Sequence, residues 1–280
     1  PMRTLVRLLA GLLVTSLMAS GIALLGAAPA NAASFTPGNI VVTRVGTGAS
    51  ALSSAATAVF LDEYTPADEL VQSIPLPTAN AGPNRRFTTS GSATSEGALA
   101  LSPDGRYLTL GGYDADPGTS GVASTTTASV SRVVARVDGN GGVDTSTAIT
   151  DAFSANNIRG AVTDNGGRFW MTGANGGVRL ATLGSSGATT QINSTGPTNN
   201  RAVSIFGGQL YLSTGSGTTG VYVVGSGLPT TGGQTPTLVA GAPSPFAFTA
   251  LDRDPGVPGV DTLYIADDSA SPGGGILKYS

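Results

Sequence analysis

The chain has 280 residues, among them 41 Gly but neither Cys nor His, and its formal net charge is −3 at pH 7. The absence of His and Cys excludes a Ser-His-Asp triad, a thiol nucleophile, disulfide bonds, and metal sites with imidazole or thiolate ligands. Any site chemistry must therefore use carboxylates, Arg, Tyr, hydroxyl groups or the backbone.

The first 32 residues have the pattern of a secretory signal peptide. Arg3 and Arg7 precede an apolar stretch from Leu8 to Ala28, and Ala30-Asn31-Ala32 has the small residues of a cleavage site. An uncleaved membrane anchor is the alternative, and Pro29 and the cleavage pattern favour the signal peptide. Its removal takes away two Arg and leaves a more acidic chain, which argues against a nucleic-acid partner. We therefore expect a secreted protein, extracellular or periplasmic, with no membrane association after cleavage.

Residues 33–280 are predicted to form one all-β domain. The high content of Gly, Ser and Thr disfavours helices, and no long stretch repeats its apolar residues with a helical period. Short strand-like runs alternate instead with Gly, Asp, Asn and Pro. In chain order the runs are 39–45, 58–64, 70–75, 98–102, 107–113, 129–137, 143–150, 160–163, 168–172, 178–183, 189–193, 202–206, 209–213, 220–224, 235–240, 247–251, 262–266 and 275–279.

The runs repeat along the chain. A strand of small residues, a turn with Gly or Asp, and a second strand with a large apolar residue near its start recur with a period of roughly 40–50 residues. The apolar residues are Tyr107, Phe169, Leu210 and Leu263. Such a period is typical of a β-propeller of four-stranded antiparallel blades, with strands a to d running from the centre outward.

About four to five blades are present. Three are complete, at 97–150, 160–195 and 202–240. The first unit, 38–77, has only b-, c- and d-like strands, and the last unit ends after a c-like strand. Because a closed ring requires the first and last blades to share strands, we expect the domain to be incomplete at its C-terminus.

Two short motifs resemble those of known propellers. Ser102-Pro-Asp-Gly-Arg-Tyr-Leu108 resembles the S-P-D-G hairpin of WD-like repeats in secreted bacterial propellers. The spacing of Glu96-Gly97 and Asp104-Gly105 is similar to a hairpin of phytase-like and esterase-like propellers. The first resemblance implies a β-propeller fold, and the second implies a hydrolase activity.

A literal G-x-G-x-x-G occurs at Gly215–Gly220. A dinucleotide site of this kind requires a following helix, whereas Val221–Val224 has the composition of a strand. We therefore predict a glycine-rich turn between strands b and c.

Paired acids occupy turns after strand b in two blades: Asp114 with Asp116, and Asp267 with Asp268. Carboxylates at such spacing can ligate Ca²⁺, and Asp also favours turns because its side chain bonds to nearby backbone. Both interpretations stay open, and calcium is the only candidate cofactor.

The residues at the start of strand a surround one mouth of the predicted channel. They are Glu96, Arg159, Arg201 and Phe246, accompanied by Asn157, Asn200 and Tyr113. These side chains suit an anionic or sugar-like ligand, because Arg makes bidentate contacts with anions. The alternative is that Glu96 and the Arg residues form ion pairs between blades.

Two functional hypotheses follow. The first is a secreted binding or scaffold protein whose partner is an extracellular small molecule, a glycan or a protein. The second is a secreted esterase-like or phytase-like hydrolase that works through carboxylates and calcium.

Overall fold

The computed structural model describes residues 32–270 and 273–280. This part of the chain is all-β, and its only helical segment is a short 3-10 turn at Val122–Ser124. No helix in the described residues is long and apolar enough to cross a membrane. The predicted signal peptide, except Ala32, lies outside the described residues.

The strands form successive antiparallel sheets. The first sheet contains β1 (Ile40–Val45), β2 (Ala56–Tyr64) and β3 (Leu70–Pro75), with β4 (Thr88–Ser90) beside the start of β2. The second contains β5 (Ala100–Leu101), β6 (Tyr107–Tyr113), β7 (Arg132–Asp138) and β8 (Val143–Ile149). The third contains β9 (Ile158–Thr163), β10 (Arg168–Gly173), β11 (Arg179–Thr182) and, after β12 (Ser186–Gly187), β13 (Thr190–Gln191).

The fourth and fifth sheets complete the described chain. The fourth contains β14 (Val203–Phe206), β15 (Gln209–Thr214), β16 (Gly220–Val224) and β17 (Pro236–Gly241). The fifth contains β18 (Pro245–Leu251), β19 (Thr262–Asp267) and β20 (Gly275–Tyr279). Apart from the short strands β4 and β12, three sheets of four strands thus lie between two of three strands, which is the strand distribution that the sequence repeats predict.

The structure corrects the predicted separation of the first two sheets. The unpredicted strand β4 pairs with the start of β2 and meets β6 at Thr88 and Tyr113, so both sheets belong to one hydrogen-bonded array. The unpredicted strand β12 extends the same array by pairing in parallel with β8. The predicted strand at 98–102 shortens to Ala100–Leu101, because Ser102 already belongs to the following turn.

The turn at Ser102 explains the local fold of the S-P-D-G motif. The Ser102 amide donates to the Tyr107 carbonyl at 2.8 Å, and the Asp104 carboxylate accepts from the Ser102 hydroxyl at 2.6 Å. Gly105 has a φ of +70°, a conformation that glycine adopts without steric cost. The motif therefore forms the predicted hairpin between β5 and β6.

The apolar core consists of four clusters, each shared by two successive sheets. From the first junction to the fourth, the clusters include Leu61 with Leu110, Ile149 with Phe169, Trp170 with Leu212, and Val221 with Ile265. The sheets are therefore packed face to face in chain order, which buries both faces of the three central sheets.

The first strands of the second to fifth sheets, β5, β9, β14 and β18, surround a small central cavity of about 120 Å³. Small side chains such as Ala100, Ala161 and Ala202 line it, together with Gly160. These residues allow the four strands to approach one another, which explains why the predicted innermost strands are rich in Ala and Gly.

Candidate functional site

Four loops converge at one end of the central cavity, which we call the mouth. These four loops lead into β5, β9, β14 and β18. Because neighbouring strands are antiparallel, the loop between the second and third strands of each of these sheets lies at the same end. Glu96 and Arg201 precede their strands, whereas Arg159 and Phe246 are the second residues of theirs. The structure brings these four side chains, together with Tyr113, Asn157 and Asn200, to the mouth.

The Glu96 carboxylate is held by three donors. Its Oε1 accepts from the Tyr113 hydroxyl at 2.6 Å and from Asn157 Nδ2, and its Oε2 accepts from the Ser90 amide at 2.8 Å. No Arg lies within ion-pair distance of Glu96 in the described part of the chain. Glu96 therefore links the second sheet to the loop before the third through hydrogen bonds, and not through the ion pair that one interpretation of the sequence predicted.

Burial raises the pKa of Glu96, although its hydrogen bonds and the nearby charge of Arg132 act in the opposite direction. The pKa of Tyr113 is raised as well, first by burial and then by the negative charge of Glu96. Both shifts reflect a polar cluster enclosed by protein at the base of the mouth.

Arg132 also belongs to this cluster, although it was not among the residues predicted from the sequence. Its side chain is fully buried beneath the mouth, and its guanidinium carbon lies 4.8 Å from the centre of the Tyr113 ring. It donates to the carbonyls of Thr125 and Val130, each at 2.7 Å, so it fixes the loop before β7. The strand register places Arg132 directly opposite Tyr113. The sequence signal that could have identified it is an Arg at the start of β7, the third strand of the second sheet.

Arg159 has no carboxylate within ion-pair distance in the described part of the chain. Its Nη1 donates to Asn199 Oδ1 at 2.7 Å and to the Asn200 carbonyl at 3.3 Å, while its buried Nε has no hydrogen-bond partner. Burial lowers the pKa of Arg159 and the positive charge of Arg201 lowers it further, against the opposing effect of the Glu96 charge. Two guanidinium groups therefore lie near each other at the mouth, and one of them lacks a counter-ion among the described residues.

Arg201 is fixed between an aromatic ring and a glycine. Its guanidinium carbon lies 4.2 Å from the centre of the Phe246 ring, and Nη1 donates to the Ser244 hydroxyl at 3.0 Å. On the other side, a Cβ added to Gly215 would lie 2.6 Å from that same carbon. The first glycine of the G-x-G-x-x-G segment thus makes room for Arg201, and the segment is the predicted turn, here between β15 and β16.

The contacts at the mouth repeat from sheet to sheet. Each side chain reaches the residue two places before the next mouth position. The three pairs are Glu96–Asn157, Arg159–Asn199 and Arg201–Ser244. The mouth is thus a chain of hydrogen bonds between neighbouring sheets. The buried Asn200 side chain is not part of this chain, because its amide donates to the Pro197 carbonyl of its own loop at 3.3 Å.

The paired acids do not assemble into a common site. Asp114 and Asp116 both pair with Arg86, at 2.8 and 2.7 Å, whereas Asp268 pairs weakly with Arg201 at 3.4 Å. Asp267 accepts from the Ser244 amide and from Ser269, which lowers its pKa against the opposing effect of burial. No three acidic side chains within residues 32–270 and 273–280 converge as a metal site requires.

Comparisons with known proteins gave no family model and no curated protein that matches this chain. Among solved structures, it is similar to a protein of unknown function from Bacteroides thetaiotaomicron, with 11% identity and a TM-score of 0.46 over 86% of this chain. The chain spans about half of that protein, 54% of its length. It is also similar to a gluconolactonase from Xanthomonas campestris, with 12% identity and a TM-score of 0.39 over 87% of this chain and 97% of that one.

Proposed function

We propose that this protein is a secreted β-propeller that binds an anionic ligand at the mouth, through Arg159 and Arg201. The five face-to-face sheets support the propeller assignment, as do the four innermost strands around one cavity. Secretion is inferred from the pattern of residues 1–32.

The observation that carries the proposed ligand class is the unpaired charge of Arg159. A guanidinium that is partly buried beside a second guanidinium costs free energy, which a bound anion offsets. An anionic group at the mouth would also find Arg201, whose Nε and Nη2 donate to no acceptor within the described residues. Arg forms bidentate, charge-assisted hydrogen bonds with carboxylates and phosphates, so these groups are the expected ligand chemistry.

The test is a titration of the purified protein with acetate and inorganic phosphate, followed by NMR chemical shifts. We expect saturable binding that weakens with added NaCl, because partly exposed charges are screened by salt. Arg159→Gln and Arg201→Gln should each weaken binding about tenfold or more, since charge-assisted hydrogen bonds contribute roughly 1.5–3 kcal/mol.

Arg106→Gln is the matched control, because Arg106 is exposed in the hairpin at the opposite end of the second sheet. Equal loss of binding in all three variants would indicate general charge attraction and would overturn the proposed site. Failure of both acetate and phosphate to bind would also overturn the proposed site.

A hydrolytic activity is the second candidate, and one observation favours it. Glu96 is a carboxylate at the mouth whose pKa is raised, as a general acid requires. Both of its oxygens already accept hydrogen bonds, so a substrate would have to displace the Tyr113 hydroxyl or Asn157. Chromogenic ester, phosphate and glycoside substrates test this candidate, with Glu96→Gln as the variant that must lose any activity found.

Calcium remains a prediction for the paired acids. Binding at Asp114 and Asp116 would require Arg86 to move away. A rise in melting temperature with CaCl₂ but not with NaCl of equal ionic strength would support it, because an ion that binds only the native state stabilises that state.

A further inference from the structure

A second cavity opens beside the two mouth arginines. It has a volume of about 410 Å³ and lies between the loop before β14 and the turn between β15 and β16. Its lining includes Pro197, Asn199, Ser216, Thr218 and Tyr222, with no charged side chain. This volume is within the usual range for small-molecule sites, roughly 300–1,000 Å³.

Both arginines adjoin this cavity through residues that line it or lie next to it. Asn199 accepts a hydrogen bond from Arg159 at 2.7 Å. On the other side, the guanidinium of Arg201 packs against Gly215, the neighbour of Ser216. Thr214 holds the two loops together, because its hydroxyl donates to the Asn199 carbonyl at 2.6 Å. The cavity is therefore a neutral polar space, and its walls are in contact with both arginines although neither arginine lines it.

The lining has the groups that a hydroxylated ligand needs. No hydrogen bond within the described residues involves the side-chain amide nitrogen of Asn199 or the hydroxyl groups of Ser216 and Thr218. Tyr222 forms a wall whose position is fixed, since its hydroxyl donates to the Thr218 carbonyl at 2.6 Å. Amide and hydroxyl groups can pair with sugar hydroxyls, and an aromatic wall suits the apolar face of a sugar ring.

We propose that the ligand of this protein is an acidic monosaccharide unit, a hexuronate, whose carboxylate binds Arg159 and Arg201 while its ring occupies this cavity. The inference rests on the proposed anion-binding function and adds the substrate class to it. A simple anion would leave the cavity unused, and a neutral sugar would leave Arg159 without a counter-ion.

The experiment compares sodium glucuronate, sodium acetate and glucose by NMR titration of the full chain. We expect glucuronate to bind roughly tenfold more tightly than acetate, because its ring would add two or three hydrogen bonds in the cavity. Glucose should bind more weakly than glucuronate. Equal affinity for acetate and glucuronate would overturn the sugar assignment while the anion site stands, and binding of neither would overturn both.

Ser216→Tyr tests the cavity itself. Ser216 is exposed, so the larger side chain should fill the cavity without disturbing the core. We expect the affinity for glucuronate to fall to that for acetate, with acetate binding unchanged. Ser226→Tyr is the matched control, since Ser226 is exposed at the opposite end of the same sheet.

Thr218→Val removes one hydroxyl at nearly constant volume, and it is the second variant if Ser216→Tyr does not fold. It should weaken glucuronate binding about threefold or more and leave acetate binding unchanged. Wild-type affinity for glucuronate in either folded variant would refute the proposal.

Discussion

Replacement of Gly215 by Ala should displace Arg201 from the mouth without unfolding the protein. The added Cβ would lie 2.6 Å from Cζ, 2.8 Å from Nη2 and 2.9 Å from Nε of Arg201. Carbon atoms in contact are normally about 3.5–4.0 Å apart, so the guanidinium must move by about 1 Å. The Gly215 backbone itself tolerates Ala, because its φ is not in the left-handed region.

The magnitude follows from the contacts that Arg201 makes. The shift weakens the stacking on Phe246, worth about 0.5–1 kcal/mol at a partly exposed site, and strains the bonds to Ser244 Oγ at 3.0 Å and to the Pro245 carbonyl at 3.1 Å. Each bond contributes roughly 0.5–1.5 kcal/mol. We therefore expect a loss of about 1–2 kcal/mol in unfolding free energy and a five- to thirtyfold weaker binding of anions.

Urea unfolding followed by circular dichroism measures the first quantity, and the NMR titration with acetate measures the second. Gly139→Ala is the matched control, since its φ is also not left-handed and a Cβ there would meet no atom within 4 Å. Wild-type stability and wild-type anion affinity in Gly215→Ala would refute the placement of Arg201 against this turn.

Three further outcomes test the core and the charged cluster. Trp170→Phe should lower the free energy of unfolding in urea by about 2–4 kcal/mol, because the indole is fully buried and donates to the Pro229 carbonyl at 2.8 Å. A loss under about 1 kcal/mol would contradict this packing. Asn193→Ala should cost about 1–3 kcal/mol, since the buried Val178 amide would lose its acceptor; an unchanged melting temperature would argue against this bond. The raised pKa of Glu96 means that the folded state retains a proton that the unfolded state has released, so stability should fall as pH rises from the ordinary value of 4.5 towards the raised one. Glu96→Gln should remove this part of the pH dependence, and identical pH profiles for the two proteins would contradict it.

The sequence predicted the strands well because their signals are local. Every predicted run overlaps an observed strand, and Tyr107–Tyr113 and Gly220–Val224 have the predicted bounds. Each is bounded by turn residues such as Gly105 or Gly225, which adopt positive φ values of +70° and +60°. Turn chemistry of this kind depends only on a few neighbouring residues, so it can be recognised without knowledge of the rest of the fold.

The missed features depend on distant partners. The strand β4 has only the polar residues Thr88-Thr89-Ser90, and it is a strand because β2 offers its open edge. Arg132 belongs to the mouth cluster because tertiary packing places Tyr113 and four backbone carbonyls around its guanidinium. Neither the pairing of β4 nor the full set of Arg132 partners can be recognised from the adjacent residues alone.

The sequence repeat predicted which residues lie at the mouth, but it did not predict which side chains they contact. Alignment of the repeats placed Glu96, Arg159 and Arg201 at equivalent positions, and opposite charges suggested ion pairs between sheets. In the structure each of them contacts a polar side chain of the following loop, and only Arg201 also forms an ion pair, a weak one with Asp268 at 3.4 Å. Which charge a side chain meets depends on the offset of two residues between contacting loops, and the repeat alone does not specify that offset.

That two-residue offset has a consequence for how this surface can diversify. Each contact involves one pair of adjacent sheets and a single side chain from each loop. A substitution at one junction therefore alters the side-chain chemistry there and leaves the contacts at the other junctions intact. Under the proposed function, ligand preference changes stepwise during evolution, one junction at a time, while the apolar clusters beneath continue to maintain the fold.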